Sequence, residues 1–297
     1  MTNGYAAPAP WLPWLTIAAP PEPRTSGRVT MSGVSSRRYV TVPVTALWTS
    51  SRAPRDVDAP AVAPRPDVVT WLTNLDAAQA RLGLRGRLLT QLEVGEPVIV
   101  TGHPDRAAIG STEDSADEGW LQVVAPMQPS SLDERGYPGW VPAAHVGLQV
   151  PHRSPLSVTA DSLETGAGPE AFIALARKHL GLPYLWGGMC DWGLDCSGLV
   201  HLSLRRLGVV FPRDADDQYD ACEHVSAGDA RPGDLYFFAA EGKRPHHVGI
   251  VTGPGRMLHA AETGSGIIEQ ALGPARQRSL IGAGRLSSFL ARTGLAG

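Results

Sequence analysis

The pattern of short apolar runs constrains the fold of this chain more than any other feature of its sequence. In the first half, glycine, proline and acidic residues divide the chain into runs in which apolar and polar residues alternate, as in half-buried strands. The runs cover residues 39–48, 87–101, 119–125 and 136–145. Short strands separated by turns are typical of a small β-barrel, and we predict one as a first domain over residues 37–150.

One helix is predicted within this first domain. Apolar residues recur at helical spacing over residues 67–82, with Asp67 placed as the N-cap and Gly83 just after the last turn. The segments 103–118 and 126–135 are rich in aspartate, serine and proline, so we expect them to be surface loops.

The second half of the chain has a different pattern. Residues 151–168 mix proline, serine, threonine and glycine without periodicity, which indicates a linker. Helices are then predicted over 169–180 and 196–207. Strands are predicted over 234–239, 247–252, 256–260 and 266–270. Helices followed by an antiparallel sheet predict an α+β domain over residues 169–297.

Length and charge exclude several classes of protein. A chain of 297 residues is long for one compact domain, which agrees with a division into two. Its net charge of −3 gives no electrostatic footprint for nucleic acid or for an anionic membrane surface, so we expect neither as a partner. Residues 1–36 are rich in proline and alanine and lack the positive start of a signal peptide. We therefore expect a poorly ordered leader and a cytoplasmic protein.

The cysteines do not form a recognisable framework. Cys190, Cys196 and Cys222 are odd in number and include no CxxC pair, so neither a disulfide scaffold nor a zinc ribbon is indicated. The spacing of Cys190 and Cys222 relative to His224 or His246 does not resemble a metal site either. The sequence therefore predicts no metal, no cofactor and at least one free thiol.

Cys196 is the candidate nucleophile because of its position in the chain. A thiol in the first turn of a helix lies at the positive end of the helix dipole, near unpaired backbone N–H groups, and both favour the thiolate. His247 and His259 lie 12 residues apart across a predicted hairpin, so they can supply a base and a group that orients it. Spacing alone leaves a structural alternative open, in which the cysteine is a buried apolar residue and the histidines stabilise the sheet.

Six short segments resemble, in order, segments of the NlpC/P60 family of cysteine peptidases. They are YLWGG at 184–188, DCSGLV at 195–200, PRDADDQ at 212–218, GDLYFF at 233–238, HVGIV at 247–251 and MLHA at 257–260. The resemblance covers about residues 169–285 and implies a papain-like α+β catalytic domain. It implies Cys196 as the nucleophile, His247 as the base and His259 as the third polar residue. In that mechanism the thiol attacks an amide carbonyl, and the base protonates the leaving amine and then activates water.

The resemblance also implies a set of residues that line the substrate groove. They are Tyr184, Trp186, Asp195, Ser197 and Asp214. From the residues alone, Trp186 can instead pack under the catalytic helix, and Asp195 can be only the N-cap of that helix. Asp214 can likewise form a surface ion pair with Arg213. A carboxylate that faces a cleft can bind the free ammonium of a peptide, and we expect Asp214 to do so.

The first domain resembles the bacterial SH3-like barrel that precedes the catalytic domain in γ-D-glutamyl-L-diamino acid endopeptidases. The likeness lies in the segments 45–62 and 88–100. Two residues depart from that group. Val94 stands where the group has an aromatic residue that closes the substrate pocket, and Ala215 stands where a serine is common. These departures predict weaker discrimination of the first side chain of the substrate.

The resemblances imply a cysteine endopeptidase with a small peptide as its partner. Its expected reaction is hydrolysis of the γ-D-glutamyl-diamino acid amide bond in short peptidoglycan stem peptides with a free N-terminal L-alanine. The alternative is a thioester-forming acyltransferase or amide-processing enzyme that acts on a non-wall, biosynthetic peptide. A silent binding module is a third possibility, but the cysteine and both histidines are retained. The sequence does not indicate an oligomeric state.

Overall fold

The computed structural model describes residues 37–102, 119–151, 168–261 and 266–286. The predicted leader 1–36, the predicted loop 103–118 and nearly all of the linker 151–168 therefore lie outside the described residues. The described residues fold into an N-terminal region with one sheet and a C-terminal region in which helices pack on a second sheet.

The sheet of the N-terminal region contains seven strands among the described residues. They are β1 (Arg37–Val40), β2 (Val44–Trp48), β3 (Leu88–Glu93), β4 (Pro97–Gly102), β5 (Trp120–Ala125), β6 (Tyr137–Pro142) and β7 (Val146–Gly147). The strands pair antiparallel in the order β3-β2-β6-β5-β4-β1-β7. Leu47, Leu92 and Val123 belong to the apolar cluster that this sheet buries. The sequence therefore predicted the strand character of this region correctly.

Two of the predicted runs are divided into two strands. The run 39–48 turns near Pro43, which has no backbone N–H to donate to a strand ladder. The run 87–101 turns at Gly95, whose φ of 83° lies in the left-handed region that favours glycine. The boundaries of these runs were wrong because alternation of apolar residues continues through each turn.

Two helices connect β2 to β3. They are α1 (Ala59–Val62) and α2 (Val68–Ala77). Helix α2 begins as predicted, because the carboxylate of Asp67 accepts a hydrogen bond of 2.9 Å from the backbone N–H of Thr70. It ends before the predicted residue 82, because Gln79 adopts a φ of 51° and turns the chain out of the helix.

The C-terminal region combines four helices with a sheet of six strands, counted over the described residues. The helices are α3 (Pro169–Arg177), α4 (Cys196–Arg206), α5 (Ala215–Asp220) and α6 (Pro274–Ser279). The strands are β8 (Met189–Cys190), β9 (Gly193–Leu194), β10 (Glu223–Val225), β11 (Leu235–Phe238), β12 (His247–Gly253), β13 (Arg256–Ala261), β14 (Gly266–Ala271) and β15 (Leu280–Arg285). The sheet order is β10-β15-β11-β12-β13-β14, and β8 pairs with β9 alone.

Helix α4 packs across this sheet and forms the centre of the C-terminal core. Leu199 and Val200 of α4 share one apolar cluster with Phe237, Val248 and Leu258 of the strands. The two predicted helices and all four predicted strands are present. The first helix stops before residue 180, because its end tightens into three-residue hydrogen bonds such as the one from the N–H of Leu180 to the carbonyl of Arg177. No helix in the described ranges is both long and apolar enough to cross a bilayer.

Ion pairs connect α4 to the N-terminal region. Arg206 lies 2.7 Å from Glu93, and the buried guanidinium of Arg205 lies 3.0 Å from the buried carboxylate of Glu96. The amide oxygen of Gln91 in β3 also accepts a hydrogen bond of 3.0 Å from the backbone N–H of Met189. Strand β3 is therefore bound directly to the region that contains Cys196.

The segment 126–135 lies against the C-terminal region. Its prediction as a loop is confirmed, but its prediction as a surface segment holds only in part, because Gln128 is fully buried whereas Ser131, Glu134 and Arg135 are exposed. The backbone N–H of Ser131 donates a hydrogen bond of 2.8 Å to the carboxylate of Asp217 in α5. The amide nitrogen of the buried Gln128 likewise donates to the carbonyl of Gln91 and to the carboxylate of Glu96, so protein groups satisfy it in place of solvent.

Candidate active site

A cavity of about 700 Å³ lies at the start of α4 and is lined by residues of both regions. Cys196 and His247, the first residues of α4 and β12, both face it. The five predicted groove residues line it as well: Tyr184, Trp186, Asp195, Ser197 and Asp214. The structure therefore brings together the residues that the sequence singled out, with His259 placed behind His247.

The start of α4 fixes the position of Cys196. Asp195 is the N-cap, and its carboxylate accepts a hydrogen bond of 2.7 Å from the N–H of Gly198. Gly198 is required there, because a Cβ at this position would lie 2.2 Å from the carbonyl oxygen of Gly188. The glycines of the preceding loop and of the first turn thus let the helix begin at the cavity wall.

Burial determines the protonation of Cys196 in the free protein. Only 7% of the residue is exposed, and this burial raises the pKa of its thiol to about 12. The charge of Asp195 acts in the same direction, and hydrogen bonds from backbone N–H groups oppose it. The sequence predicted only the stabilising effect of the backbone N–H groups on the thiolate, and not the opposing effect of burial. The thiol therefore needs a base to become a nucleophile.

His247 lines the same cavity as Cys196. Its Nε2 lies 2.9 Å from Nδ1 of His259, which leaves Nδ1 of His247 as the nitrogen available to a proton in the cavity. The two rings approach because β12 carries Gly249, where a Cβ would lie 3.2 Å from the Cβ of His259. Burial, and then the charge of Arg276, lower the pKa of His247. The same two causes lower the pKa of His259 to about 4, so both rings are neutral near pH 7.

Arg213 forms a buried clamp rather than the surface pair with Asp214 that the sequence left open. It is only 1% exposed, and its guanidinium donates to both carboxylate oxygens of Asp195, at 3.0 and 2.7 Å. It also donates to Ser197 Oγ at 2.9 Å and to Thr90 Oγ1 in β3 at 2.8 Å. Asp195 is thus both the N-cap of α4 and the partner of a buried cation.

Asp214 has a different environment from Asp195. Its carboxylate accepts a hydrogen bond of 2.7 Å from the hydroxyl of Tyr137 in β6, and it lines the cavity. Burial raises the pKa of Asp214 to about 6, against the lowering effects of Arg213 and the Tyr137 hydrogen bond. Because Arg213 is committed to Asp195, the carboxylate of Asp214 is available for a cation in the cavity.

The aromatic residues of the cavity lie where the two regions meet. Trp186 donates a hydrogen bond of 3.0 Å to the carbonyl of Leu88 in β3, so it contacts the N-terminal sheet rather than packing under α4. The guanidinium of Arg85 lies 5.0 Å from the centre of the Trp186 ring. Tyr184 lines the same cavity, and burial raises the pKa of its hydroxyl.

The structure does not place the position of Val94 at the cavity wall, and the expected weaker discrimination of the first side chain stays a prediction. Val94 lies in the turn between β3 and β4, and the aromatic side chain that the N-terminal region contributes to the cavity is Tyr137. Ala215, the other departure, does line the cavity. Nothing in the local sequence around Tyr137 indicates its partner 77 residues further along the chain. Within the described ranges, no group of three or more His, Cys, Asp and Glu side chains could hold a metal ion.

The chain matches known proteins over both of its regions. Residues 181–285 match the model of the NlpC/P60 family. The chain is also 31% identical over 277 residues to the gamma-D-glutamyl-L-lysine dipeptidyl-peptidase of Bacillus subtilis, an alignment that covers 74% of this chain and 88% of the relative. The chain belongs to the NlpC/P60 family. A second relative of the same name, from Bacillus cereus, is 24% identical over 290 residues and covers 76% of this chain and 83% of its own length.

The structural likeness to NlpC/P60 proteins covers more of the chain than residues 181–285, the segment that matches the family model. A crystal structure of an NlpC/P60 family protein from Bacillus cereus superposes with a TM-score of 0.70 at 22% identity. It covers 84% of this chain and 99% of that chain. The N-terminal sheet is therefore part of an arrangement that another NlpC/P60 protein shares.

Proposed function

We propose that this NlpC/P60 peptidase hydrolyses the amide bond between γ-D-glutamate and a diamino acid in short stem peptides that begin with a free L-alanine. The observation that carries the proposal is the Asp214 carboxylate, which is oriented by Tyr137 within the cavity that also contains Cys196. Two relatives named gamma-D-glutamyl-L-lysine dipeptidyl-peptidase support the same bond and substrate class.

In the proposed reaction Cys196 is the nucleophile and His247 is the base. Nδ1 of His247 takes the thiol proton as sulfur attacks the γ-carbonyl carbon, and it then gives this proton to the departing amine. Backbone N–H groups at the start of α4, near Ser197, stabilise the oxyanion. Water, deprotonated by His247, then hydrolyses the thioester and restores the thiol. His259 orients the ring of His247 throughout.

The N-terminal region determines the length of the substrate in this proposal. We infer that its sheet is an SH3-like barrel, on the basis of its small size, its antiparallel strands and the likeness of its sequence segments. Tyr137, Leu88 and Leu89 from this region line the cavity, and Tyr137 contacts Asp214. In this proposal these residues close the cavity beyond the first residue of the substrate. A peptide whose N-terminus lies in the cavity then fits, whereas a chain that extends further in the N-terminal direction does not. Tyr184, Trp186 and Ser197 contact this peptide.

The decisive experiment compares L-Ala-γ-D-Glu-L-Lys with its N-acetylated form. Acetylation removes the charge that Asp214 binds, and breaking such a buried charged pair costs about 2–5 kcal/mol. That loss corresponds to a decrease in kcat/KM by a factor of roughly thirty to several thousand. Asp214→Asn should process the two peptides at similar, low rates, and Asp220→Asn, outside the cavity, should behave as wild type.

Two results would contradict the proposal. Equal rates of the wild type on both peptides would exclude the ammonium anchor. A product that carries an added amine acceptor, detected by mass spectrometry, would show acyl transfer in place of hydrolysis.

A further inference from the structure

Arg276 is a cavity residue that the reaction described above does not use. It lies in the short helix α6, and its guanidinium carbon is 5.3 Å from the centre of the Phe238 ring. The Phe238 ring is itself 5.6 Å from the ring of His247. Arg276 lines the cavity together with Cys196 and His247, and its charge acts on His247.

The charge of Arg276 is not balanced by a carboxylate among the described residues. In this part of the structure, Asp195 forms an ion pair with Arg213. Asp216 and Asp220 both form ion pairs with the exposed Arg244. Arg276 is half-buried, and burial lowers the pKa of its guanidinium. A partly desolvated cation that faces a cavity is stabilised when an anion enters.

The position of Arg276 identifies the side of the scissile bond that it faces. The base that protonates the departing amine has to lie on the amine side of that bond. The charge of Arg276 lowers the pKa of His247. The guanidinium of Arg276 contacts the ring of Phe238, and this ring contacts the ring of His247. The charges that act on Asp214 are instead those of Arg213, Asp195 and Asp216. In the proposed reaction, Asp214 therefore lies toward the acyl end of the substrate, and Arg276, next to Phe238 and His247, lies toward its amine end.

We propose that Arg276 binds the α-carboxylate of the diamino acid that the reaction releases. This inference rests on the proposed function and adds to it the recognition of the second end of the substrate. The planar guanidinium can donate two parallel hydrogen bonds to a carboxylate, which fixes the leaving residue beside His247. The enzyme then selects tripeptides, because Asp214 binds the N-terminal ammonium and Arg276 binds the C-terminal carboxylate. It disfavours peptides in which the diamino acid is amidated or extended.

The test uses L-Ala-γ-D-Glu-L-Lys with a free carboxylate and the same peptide with a C-terminal carboxamide. Wild type should prefer the free carboxylate by roughly ten- to a hundredfold in kcat/KM, as expected for a hydrogen bond between charged groups. Arg276→Gln should remove this preference by lowering the rate on the free carboxylate alone, and Arg276→Lys should retain part of it. Arg278→Gln, an exposed change in the same helix, is the matched control.

A second measurement separates substrate binding from an effect on the thiol. In a Cys196→Ala background, where no thiolate can form, Arg276→Gln should still weaken binding of the free-carboxylate tripeptide in calorimetry. Equal losses on both peptides, with unchanged binding in this background, would overturn the inference and assign Arg276 to the thiolate. Equal rates of wild type on both peptides would overturn the inference alone. Cleavage of neither peptide would overturn the proposed function, and the inference with it.

Discussion

The C-terminal and N-terminal regions contribute to one cavity in different ways. The C-terminal region supplies the groups proposed to react, with Cys196 at the start of α4 and His247 and His259 on neighbouring strands. The N-terminal region supplies none of these. It supplies hydrogen-bond partners, namely Tyr137 for Asp214 and Thr90 for Arg213. Chemistry in this protein is therefore local in sequence, whereas recognition and positioning depend on contacts between distant segments.

Both ends of α4 are bound to a single polar network in the N-terminal region. At the first end, Asp195 pairs with Arg213, which donates to Thr90. The hydroxyl of Thr90 donates to the amide oxygen of Gln128 at 2.8 Å, and the amide nitrogen of Gln128 donates to Glu96 at 2.9 Å. Glu96 in turn pairs with Arg205 at the other end of α4. Because these buried groups are joined to one another by hydrogen bonds and ion pairs, the network positions the helix that carries Cys196.

The largest expected effect tests whether the C-terminal region supplies the nucleophile. Cys196→Ala should lower kcat by about 10⁴-fold or more, because no other group can form the thioester. Cys222→Ala is the matched control, since Cys222 packs against the C-terminal core outside the cavity lining. Rates on the tripeptide, with circular dichroism of both variants, provide the measurement. Loss of turnover in the Cys222 variant with its fold intact would show that the nucleophile is misassigned.

The two histidines should differ in the size of their effects. His247→Ala should lower kcat by roughly 10²- to 10⁴-fold, because this ring transfers a proton in both half-reactions. His259→Gln should lower it by only about tenfold, because an amide can still hydrogen-bond to Nε2 of His247. Steady-state kinetics on the same peptide distinguishes the two. An equal loss for both variants would mean that His259 itself transfers protons.

Thr90→Val tests whether the N-terminal region positions α4 or only covers it. Valine keeps the shape of threonine but removes the acceptor of the Arg213 hydrogen bond. The free energy of unfolding should fall by about 1.5–3 kcal/mol, the usual value for a hydrogen bond to a charged group. Thr49→Val, at an exposed threonine of the same region, should change it by less than about 0.5 kcal/mol. Equal urea midpoints for the two variants would show that the network contributes nothing.

The pH dependence of substrate choice tests the Asp214 anchor formed between the regions. Because the pKa of Asp214 is raised to about 6, its carboxylate becomes neutral as the pH falls through this value. Preference for the free peptide over the acetylated one should therefore increase about tenfold from pH 5 to 7, and it should fall again above about pH 8 as the peptide amine loses its proton. The ratio of kcat/KM values measures this preference. A ratio that stays constant from pH 5 to 7 in wild type would exclude the anchor.

The same division explains what could be predicted from sequence. Cys196 and His247 lie at the beginning of elements with a clear pattern, and both fall in short segments that resemble the NlpC/P60 family, so local sequence singled them out. Tyr137 could not be located in this way, because its role depends on a contact with Asp214, and Val94, the position that the sequence singled out instead, does not line the cavity. Short elements were also missed. Strands β10 and β15 and helix α6 are too short or too rich in glycine to give a periodic signal, and Arg276 lies on α6.

The smallest expected effect concerns Gln270, whose amide nitrogen lies 3.0 Å from Nε2 of His259. For Nδ1 of His247 to accept a proton, its Nε2 has to donate to Nδ1 of His259, and His259 then carries its own proton on Nε2. The amide group of Gln270 can rotate so that its oxygen accepts that proton. Gln270→Leu should therefore lower kcat by roughly two- to tenfold, with little change in KM, because the residue is exposed and water can replace its oxygen. Gln270→Glu, which keeps an acceptor, should restore most of the rate. If Gln270→Leu has the full rate at every pH from 5 to 8, Gln270 does not set the tautomer of His259. The hydrogen bonds that matter for the rate would then extend from His247 to His259 and no further.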